Sequence, residues 1–280
     1  MEVKPADVKK LRDQTGAGMM DCKVALSEAD GDFDKAVKIL KEKGLAAAAK
    51  RSSRATEEGK IFTKIEAGKA VILELSCETD FVARNENFVK LGKDLAEEII
   101  ASGAENVSEK LSEMVTTAIS VLKENMTLKR FKTILVANNE YAVDYIHGAG
   151  NIGTIIKLKA EDPEVFKKDA VKTLAVDLTL HAAALAPVAL SEKDIPDAYI
   201  KEHEEIFKKQ TENLDKPENV LQGIIKGKLN KHLSEICFLN QPFVKDDKKK
   251  VSQVLADISK EAGSKIELST YLYYRLGENA

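Results

Sequence analysis

Two glycine-rich runs could cradle phosphate, and three cysteines and four histidines could bind metal or carry redox chemistry. None of these shows the full pattern its chemistry requires. Thr15-Gly16-Ala17-Gly18 lacks the Gly-Lys-Ser/Thr ending of a phosphate loop, and a helical pattern, not a strand, precedes it. Gly148-Ala149-Gly150-Asn151-Ile152-Gly153 fits the dinucleotide fingerprint G-x-G-x-x-G. That fingerprint needs a helix to open at the glycines, so that its N-terminus meets the pyrophosphate. The β-branched Thr154-Ile155-Ile156 follows instead, and the run reads as a hairpin loop. A nucleotide-binding oxidoreductase built on this loop is the weaker reading. Cys22, Cys77 and Cys237 are odd in number, far apart and without a C-x-x-C pair, which argues against a disulfide frame or zinc site and fits a reducing cytosol. His147, His181, His203 and His232 show no metal-ligand spacing. His181 shares a helical face with Leu174 and Leu178 and reads as a core histidine. His147, beside the glycine loop, is a surface side chain or part of a binding edge.

Thr79-Asp80-Phe81-Val82 offers recognition chemistry instead. Before it, Val71, Leu73, Leu75 and Cys77 alternate with Ile72, Glu74 and Ser76, a period of two that predicts a half-buried strand. After it, Phe88, Leu91, Leu95 and Ile99 recur at helical spacing, with Asn85 or Asn87 as N-cap. The four residues therefore sit at a strand-to-helix junction, where an acidic side chain and a large aromatic stand on rigid supports. Composition alone favours a plainer outcome, in which Asp80 caps a turn and Phe81 folds back into the core.

Three short helices are expected before this junction. Pro5 suits the first turn of the first helix, which Val8 and Leu11 edge, and Gly16 and Gly18 break it. Met20, Val24 and Ala25 share one side of the second. Phe33, Ala36, Val37 and Leu40 mark the third, which Gly44 is expected to close. At least one of Met19 and Met20 is expected in the core; an exposed, flexible pair would suit a partner surface. Ala46 to Arg54, Ala-rich and basic, reads as a helical linker. Ile61–Ile65 and Ala70–Cys77 then flank the hairpin signal Ala67-Gly68-Lys69. Ser108 caps a helix with Leu111, Val115, Ala118 and Leu122 on one face, and Phe131 to Val136 returns to strand.

A second hairpin-then-helix pattern follows. Tyr141–His147 and Thr154–Leu158 are strand-like, and Asp162-Pro163-Glu164 opens a helical region whose inner face is lined by Val171, Leu174, Leu178 and His181. The repetition implies two similar α+β subdomains. Residues 191–236 look inserted. Ile195, Tyr199 and Ile206 mark one charged helix, Asp215-Lys216-Pro217 turns the chain, and Leu221, Ile224, Ile225, Leu229, Leu233 and Ile236 mark a second. Narrow apolar stripes with charged outer faces suit an antiparallel helical hairpin. Gln241-Pro242-Phe243-Val244 re-enters the body, a helix carries Val251, Val254, Leu255 and Ile258, and Ile266 to Leu276 is the last strand.

Net charge is −3 and the isoelectric point about 6.0, so no global positive field attracts phosphate backbones and no direct nucleic-acid binding is expected. The opening Met1-Glu2-Val3-Lys4-Pro5 lacks a basic region followed by an apolar run, and no uncharged apolar run approaches membrane-spanning length. A cytoplasmic chain with no membrane partner is expected.

Arg12-Asp13-Gln14-Thr15-Gly16-Ala17-Gly18-Met19-Met20-Asp21-Cys22-Lys23, Cys77-Glu78-Thr79-Asp80-Phe81-Val82-Ala83, His147-Gly148 and Gln241-Pro242-Phe243-Val244 closely resemble, in order and spacing, the bacterial elongation factor Ts family over nearly the whole chain. The resemblance implies an α+β fold. A three-helix ubiquitin-associated-like domain would span 1–54, and core subdomains 55–139 and 140–280, the second carrying a helical coiled-coil hairpin at about 191–236. It implies a guanine-nucleotide exchange factor that binds elongation factor Tu carrying GDP and speeds GDP release. Such a factor does no covalent chemistry and has no cofactor of its own, acting on Mg²⁺ and GDP held by the partner. Phe81 would be the wedge entering the partner, Asp80 would disturb the Mg²⁺ site, and Thr79 and Val82 would complete the motif. Arg12, Met19, Met20 and His147 would add contacts, as would Pro242, Phe243 and Val244. Phe81 is then expected at least partly exposed. Many relatives continue into a short helical C-terminal module, for which Leu276-Gly277-Glu278-Asn279-Ala280 leaves no room, so its contacts are not expected here. A passive scaffold whose three helices bind peptides is the competing reading.

Overall fold

The computed structural model describes residues 3–212, 214 and 216–278. Of the turn expected at Asp215-Lys216-Pro217, Asp215 lies outside the described residues. The protein mixes helix and sheet and divides into two compact units. The first runs up to Leu135 and includes Ile146–Gly153 and the chain from Tyr274; the second comprises Val136–Tyr145 and Thr154–Tyr273.

The first unit begins with α1 (Pro5–Thr15), α2 (Met19–Glu28) and α3 (Phe33–Arg51). It continues through β1 (Glu58–Glu66), β2 (Lys69–Cys77), α4 (Asp80–Ala83), α5 (Glu86–Ser102), α6 (Glu109–Leu122) and β3 (Met126–Leu135). Gly16, at φ 67°, ends α1, and the Asp32 carboxylate caps α3 by accepting from Lys35 N at 3.1 Å. Val8, Leu11, Cys22, Ala25, Leu26 and Ala36 form the core of these three helices. Two expectations change here. The inner stripe of α2 is Cys22, Ala25 and Leu26, a run at i, i+3 and i+4, so Met20 and Val24 face outward. Gly44 does not close α3 but lies buried within it. A Cβ at Gly44 would come 3.0 Å from Ser120 Cβ, so the glycine serves the close approach of α3 to α6.

Strands β1, β2 and β3 form an antiparallel sheet with β2 in the middle. Ala67 and Gly68 turn the first hairpin, both at positive φ, which is the twist a two-residue connection needs. Val71, Leu73, Leu75 and Cys77 pack with Phe88, Leu95 and Ile99 of α5 and Leu111, Val115 and Ile119 of α6. The α6 stripe thus centres on Ile119, with Ala118 and Leu122 only partly buried beside it. Strand β2 is not half-buried as its alternation predicts: Ala70, Ile72, Glu74 and Ser76 on its other face are buried too. Glu74 is satisfied there by Arg130 Nε at 2.7 Å and by the Gly277 N–H at 3.0 Å. Gly277 thus helps satisfy a carboxylate on a face that the sequence alone would leave to solvent.

The second unit holds most of β4 (Glu140–His147) and β5 (Ile152–Ala160), whose ends at Ile146–His147 and Ile152–Gly153 fall in the first, then a 3-10 turn (Pro163–Lys167) and α7 (Asp169–Leu185). It continues through α8 (Asp197–Thr211), α9 (Glu218–Ile236), β6 (Pro242–Phe243), β7 (Asp246–Lys250), α10 (Val251–Ala262) and β8 (Ile266–Arg275). Strands order as β4-β5-β8, with β6 and β7 a separate antiparallel pair. The Gly148–Gly153 run joins β4 to β5, and no helix opens at its glycines. Asp162 caps the turn after β5 by accepting from Glu164 N at 3.0 Å, but the helix proper starts only at Asp169. Ile156, Leu158, Phe166, Leu174, Leu178, Phe238, Phe243 and Leu255 are among the core residues. Helices α8 and α9 pack side by side, with Tyr199, His203 and His232 stacked between them. No helix among the described residues is long and apolar enough to cross a membrane.

Candidate functional site

At the end of β2 the chain must turn from strand into helix, and Thr79 makes that turn. Its backbone is extended, and its hydroxyl accepts from Val82 N at 3.3 Å, capping α4. Asn85 caps α5 in the same way, accepting from Asn87 N at 2.9 Å. Between the two caps, Ala83 is buried and Val82 packs partly buried against the core. These two residues pin the short helix from beneath. Phe81 is thereby turned outward and is 81% exposed. Asp80 stands beside it, its carboxylate 2.9 Å from Arg84 Nη2. The buried Phe81 that composition favours is thus replaced by an exposed ring. A full turn of helix on a capped junction cannot point Val82, Ala83 and Phe81 all inward.

The segment is anchored at its start by charged groups. Glu124 accepts from Thr79 Oγ1 at 2.7 Å and from Thr79 N at 3.0 Å. Glu78 accepts from Asn125 N at 2.6 Å and from Arg54 Nη1 at 3.3 Å. The Asn125 N–H, with help from Arg54, holds the Glu78 carboxyl below the usual carboxylate range. The Cys77 thiol donates to the Thr79 carbonyl at 3.1 Å, and burial pushes its pKa up to about 12. It is therefore a neutral packing group at physiological pH. Glu124, Asn125 and Arg54 were not singled out by sequence reasoning: a carboxylate in a helix-to-strand turn carries no pattern that names its partner 45 residues away.

The other candidate residues fall into both units. Arg12 is exposed on α1. Met19 and Met20 open α2 at 45% and 68% exposure, so neither takes the core place expected for at least one of them. His147 is exposed at the end of β4 and belongs with the first unit, as do Thr79, Asp80, Phe81 and Val82. Arg12 and Gln14 share a groove of about 940 Å³ with Asn87, Lys90 and Leu91 on α5, the helix that Asn85 caps directly after the motif. Pro242, Phe243 and Val244 lie in the second unit. Pro242 and Val244 are exposed, whereas Phe243 is buried against His181 with ring centroids 6.0 Å apart. No group of three or more metal-binding side chains occurs among the described residues.

Fold and site define a mixed helix-and-sheet protein that displays an aromatic ring on a short helix capped by Thr79. A family model described as Elongation factor TS matches residues 78–278, which include that helix. Elongation factor Ts of Treponema denticola is 48% identical over 277 residues, covering 99% of each chain. That of Borrelia hermsii is 43% identical over 278 residues, covering 99% of this chain and all of its own. That of Borreliella burgdorferi strain B31 is 44% identical over 276 residues, covering 98% of this chain and 99% of its own. The chain belongs to the elongation factor Ts family, a family of translation elongation factors.

Proposed function

We propose that the chain is a guanine-nucleotide exchange factor that binds elongation factor Tu carrying GDP and promotes GDP release during translation elongation. The observation that carries this reading is the exposure of Phe81 on α4, a short helix that Thr79 caps and that runs directly into the Asn85 cap of α5. Exchange requires negative coupling: the partner must hold nucleotide and factor together less well than either alone. Lowering GDP affinity a thousandfold takes about 4 kcal/mol of differential binding. Seating an exposed Phe ring in an apolar pocket contributes about 2 kcal/mol of that, so the wedge needs help. Asp80 supplies it by disturbing the groups around the partner's Mg²⁺, whose loss removes a bridge to the GDP phosphates. Thr79 and Val82 hold the turn. Arg12, Met19, Met20 and His147 extend the docking surface, and the Pro242-Phe243-Val244 segment adds contacts through its exposed Pro242 and Val244. The chain makes and breaks no covalent bond and needs no cofactor of its own.

The finer architecture belongs to the same reading. Residues 1–54 act as a ubiquitin-associated-like module, 55–139 and 140–280 as two related α+β subdomains, and about 191–236 as a coiled-coil hairpin standing off the second. Its place of work is the cytoplasm. The test mixes the chain with elongation factor Tu holding a fluorescent GDP analogue. Release accelerates, and Phe81→Ala slows it at least about tenfold, as loss of the ring's burial requires. Binding without any change in release would favour the passive scaffold.

A further inference from the structure

The turn between α6 and β3, Lys123-Glu124-Asn125, is crossed with the segment that carries Phe81. Glu124 gives its carboxylate to the backbone N–H and the hydroxyl of Thr79, at 3.0 and 2.7 Å. Glu78 gives its carboxylate to the backbone N–H of Asn125 at 2.6 Å. Each segment thus accepts a backbone N–H of the other, through bonds roughly twice as strong as their neutral counterparts. Lys123 sits in the left-handed region at φ 63°, a conformation that a non-glycine residue keeps only where its surroundings over-determine it. From there its ammonium reaches Asp21 Oδ2 at 2.9 Å, in the first turn of α2 beside Met19 and Met20.

The Thr79 hydroxyl has a single proton. The hydroxyl donates it in the hydrogen bond to Glu124, which leaves an oxygen lone pair facing the Val82 N–H, 3.3 Å away. Glu124 therefore sets the direction of the hydroxyl that caps α4. A helix of four residues has too few internal bonds to orient itself, so its direction is set by its cap together with the packing of Val82 and Ala83 beneath it. We infer that Glu124 is the positioning residue for Phe81. It acts through Thr79 and fixes the direction in which the ring leaves the surface, while Lys123 ties the same turn to α2. The consequence for nucleotide release rests on the exchange-factor reading; the consequence for the ring's direction does not.

The protein contains no tryptophan, so Phe81→Trp supplies a single fluorescent reporter at the wedge. In the full-length chain its emission is solvent-exposed and its anisotropy high. Adding Glu124→Ala lowers that anisotropy, and unchanged anisotropy overturns the inference. In the GDP-release assay, Glu124→Ala on the natural Phe81 background lowers the maximal rate about tenfold, the expected loss of charge-assisted bonds. The half-saturating concentration moves much less. On a Phe81→Ala background the same substitution has no further effect, because its route to the partner is gone. An equal further loss there would mark Glu124 as merely structural. If Glu124→Ala does not fold, Glu124→Gln carries the same comparisons with smaller expected changes, since its one oxygen can accept from the hydroxyl or from the N–H of Thr79 but not from both. A wild-type chain that fails to accelerate release removes the exchange reading, and the anisotropy pair still decides the positioning role.

Discussion

The Thr79 hydroxyl stands between Val82 N–H at 3.3 Å and the Glu124 carboxylate at 2.7 Å, at once the cap of a helix and the anchor of a strand end. Thr79→Val keeps the shape and removes both bonds. It also leaves a partly buried carboxylate with one partner fewer. The expected cost is about 1–2 kcal/mol, the sum of a lost cap and a weakened charged hydrogen bond. Denaturant titration reads this directly. Thr79→Ser retains the hydroxyl and should recover most of the loss; equal damage from Ser and Val would mean that the methyl group, not the cap, matters.

Gly92 on α5 faces the Phe62 ring of β1 so closely that an added Cβ would fall within the ring atoms. Phe62 is buried and lies 6.3 Å from Phe88, so it has little room to withdraw. Gly92→Ala should therefore destabilise by about 1–3 kcal/mol through overpacking, despite alanine's better helix propensity. A shift of the thermal midpoint upward would contradict the packing argument.

Gly44 on α3 is the milder counterpart. Its Cβ would meet Ser120 Cβ at 3.0 Å, and Ser120 is a small, partly exposed residue of α6. Gly44→Ala gains about 0.5–1 kcal/mol of helix propensity against a contact that needs only slight relaxation, so near-neutrality is expected. Gly44→Val adds bulk that α6 cannot absorb and should cost about 1–3 kcal/mol. Measured together, the pair reports whether α3 truly rests on α6 in solution.

Periodicity made much of this structure legible. Val71, Leu73, Leu75 and Cys77 gave away β2, and Phe88, Leu91, Leu95 and Ile99 gave away α5, because one buried face repeats with the pitch of its element. Gly44 misled for a local reason: glycine marks a helix end and a close helix crossing alike, and only the neighbour distinguishes them. The burial of Glu74 on the second face of β2 was hidden because a partner that satisfies it, the Gly277 N–H, comes from the far end of the chain. Strand β7, Asp246–Lys250, consists wholly of charged, exposed residues and pairs only through its backbone, so it has no apolar signature. The junction at Thr79 was visible as a change of period. What turns Phe81 outward was not, since Glu124 and Asn125 act through contacts that depend on the folded sheet.

His181 offers a prediction in pH. Both ring nitrogens are engaged: Nδ1 accepts from Val244 N at 3.2 Å, so Nε2 carries the proton and donates to Gln241 Oε1 at 2.9 Å. The ring is buried between Phe238 and Phe243, with centroids 5.0 and 6.0 Å away. Burial lowers its pKa below 6.5, against a smaller opposing effect of the Gln241 bond. A histidine depressed in the folded state is protonated first in the unfolded chain. Its stabilising contribution is therefore complete above pH 6.5 and is lost as pH falls through the lower folded value. Protonation would also give Nδ1 a hydrogen facing the Val244 N–H, breaking the bond that shapes the exposed Pro242 and Val244. Stability should fall on acidification from pH 7.5 to 5, with a slope of at most about 1.4 kcal/mol per pH unit from this group. His181→Gln keeps an acceptor and a donor but does not titrate, and should be less stable at pH 7.5 with a flatter profile below it. His232, also shifted down by burial and by His203, is the same in both proteins and cancels in the comparison. Parallel profiles for the two proteins, measured by thermal unfolding, would place the acid sensitivity elsewhere than at His181.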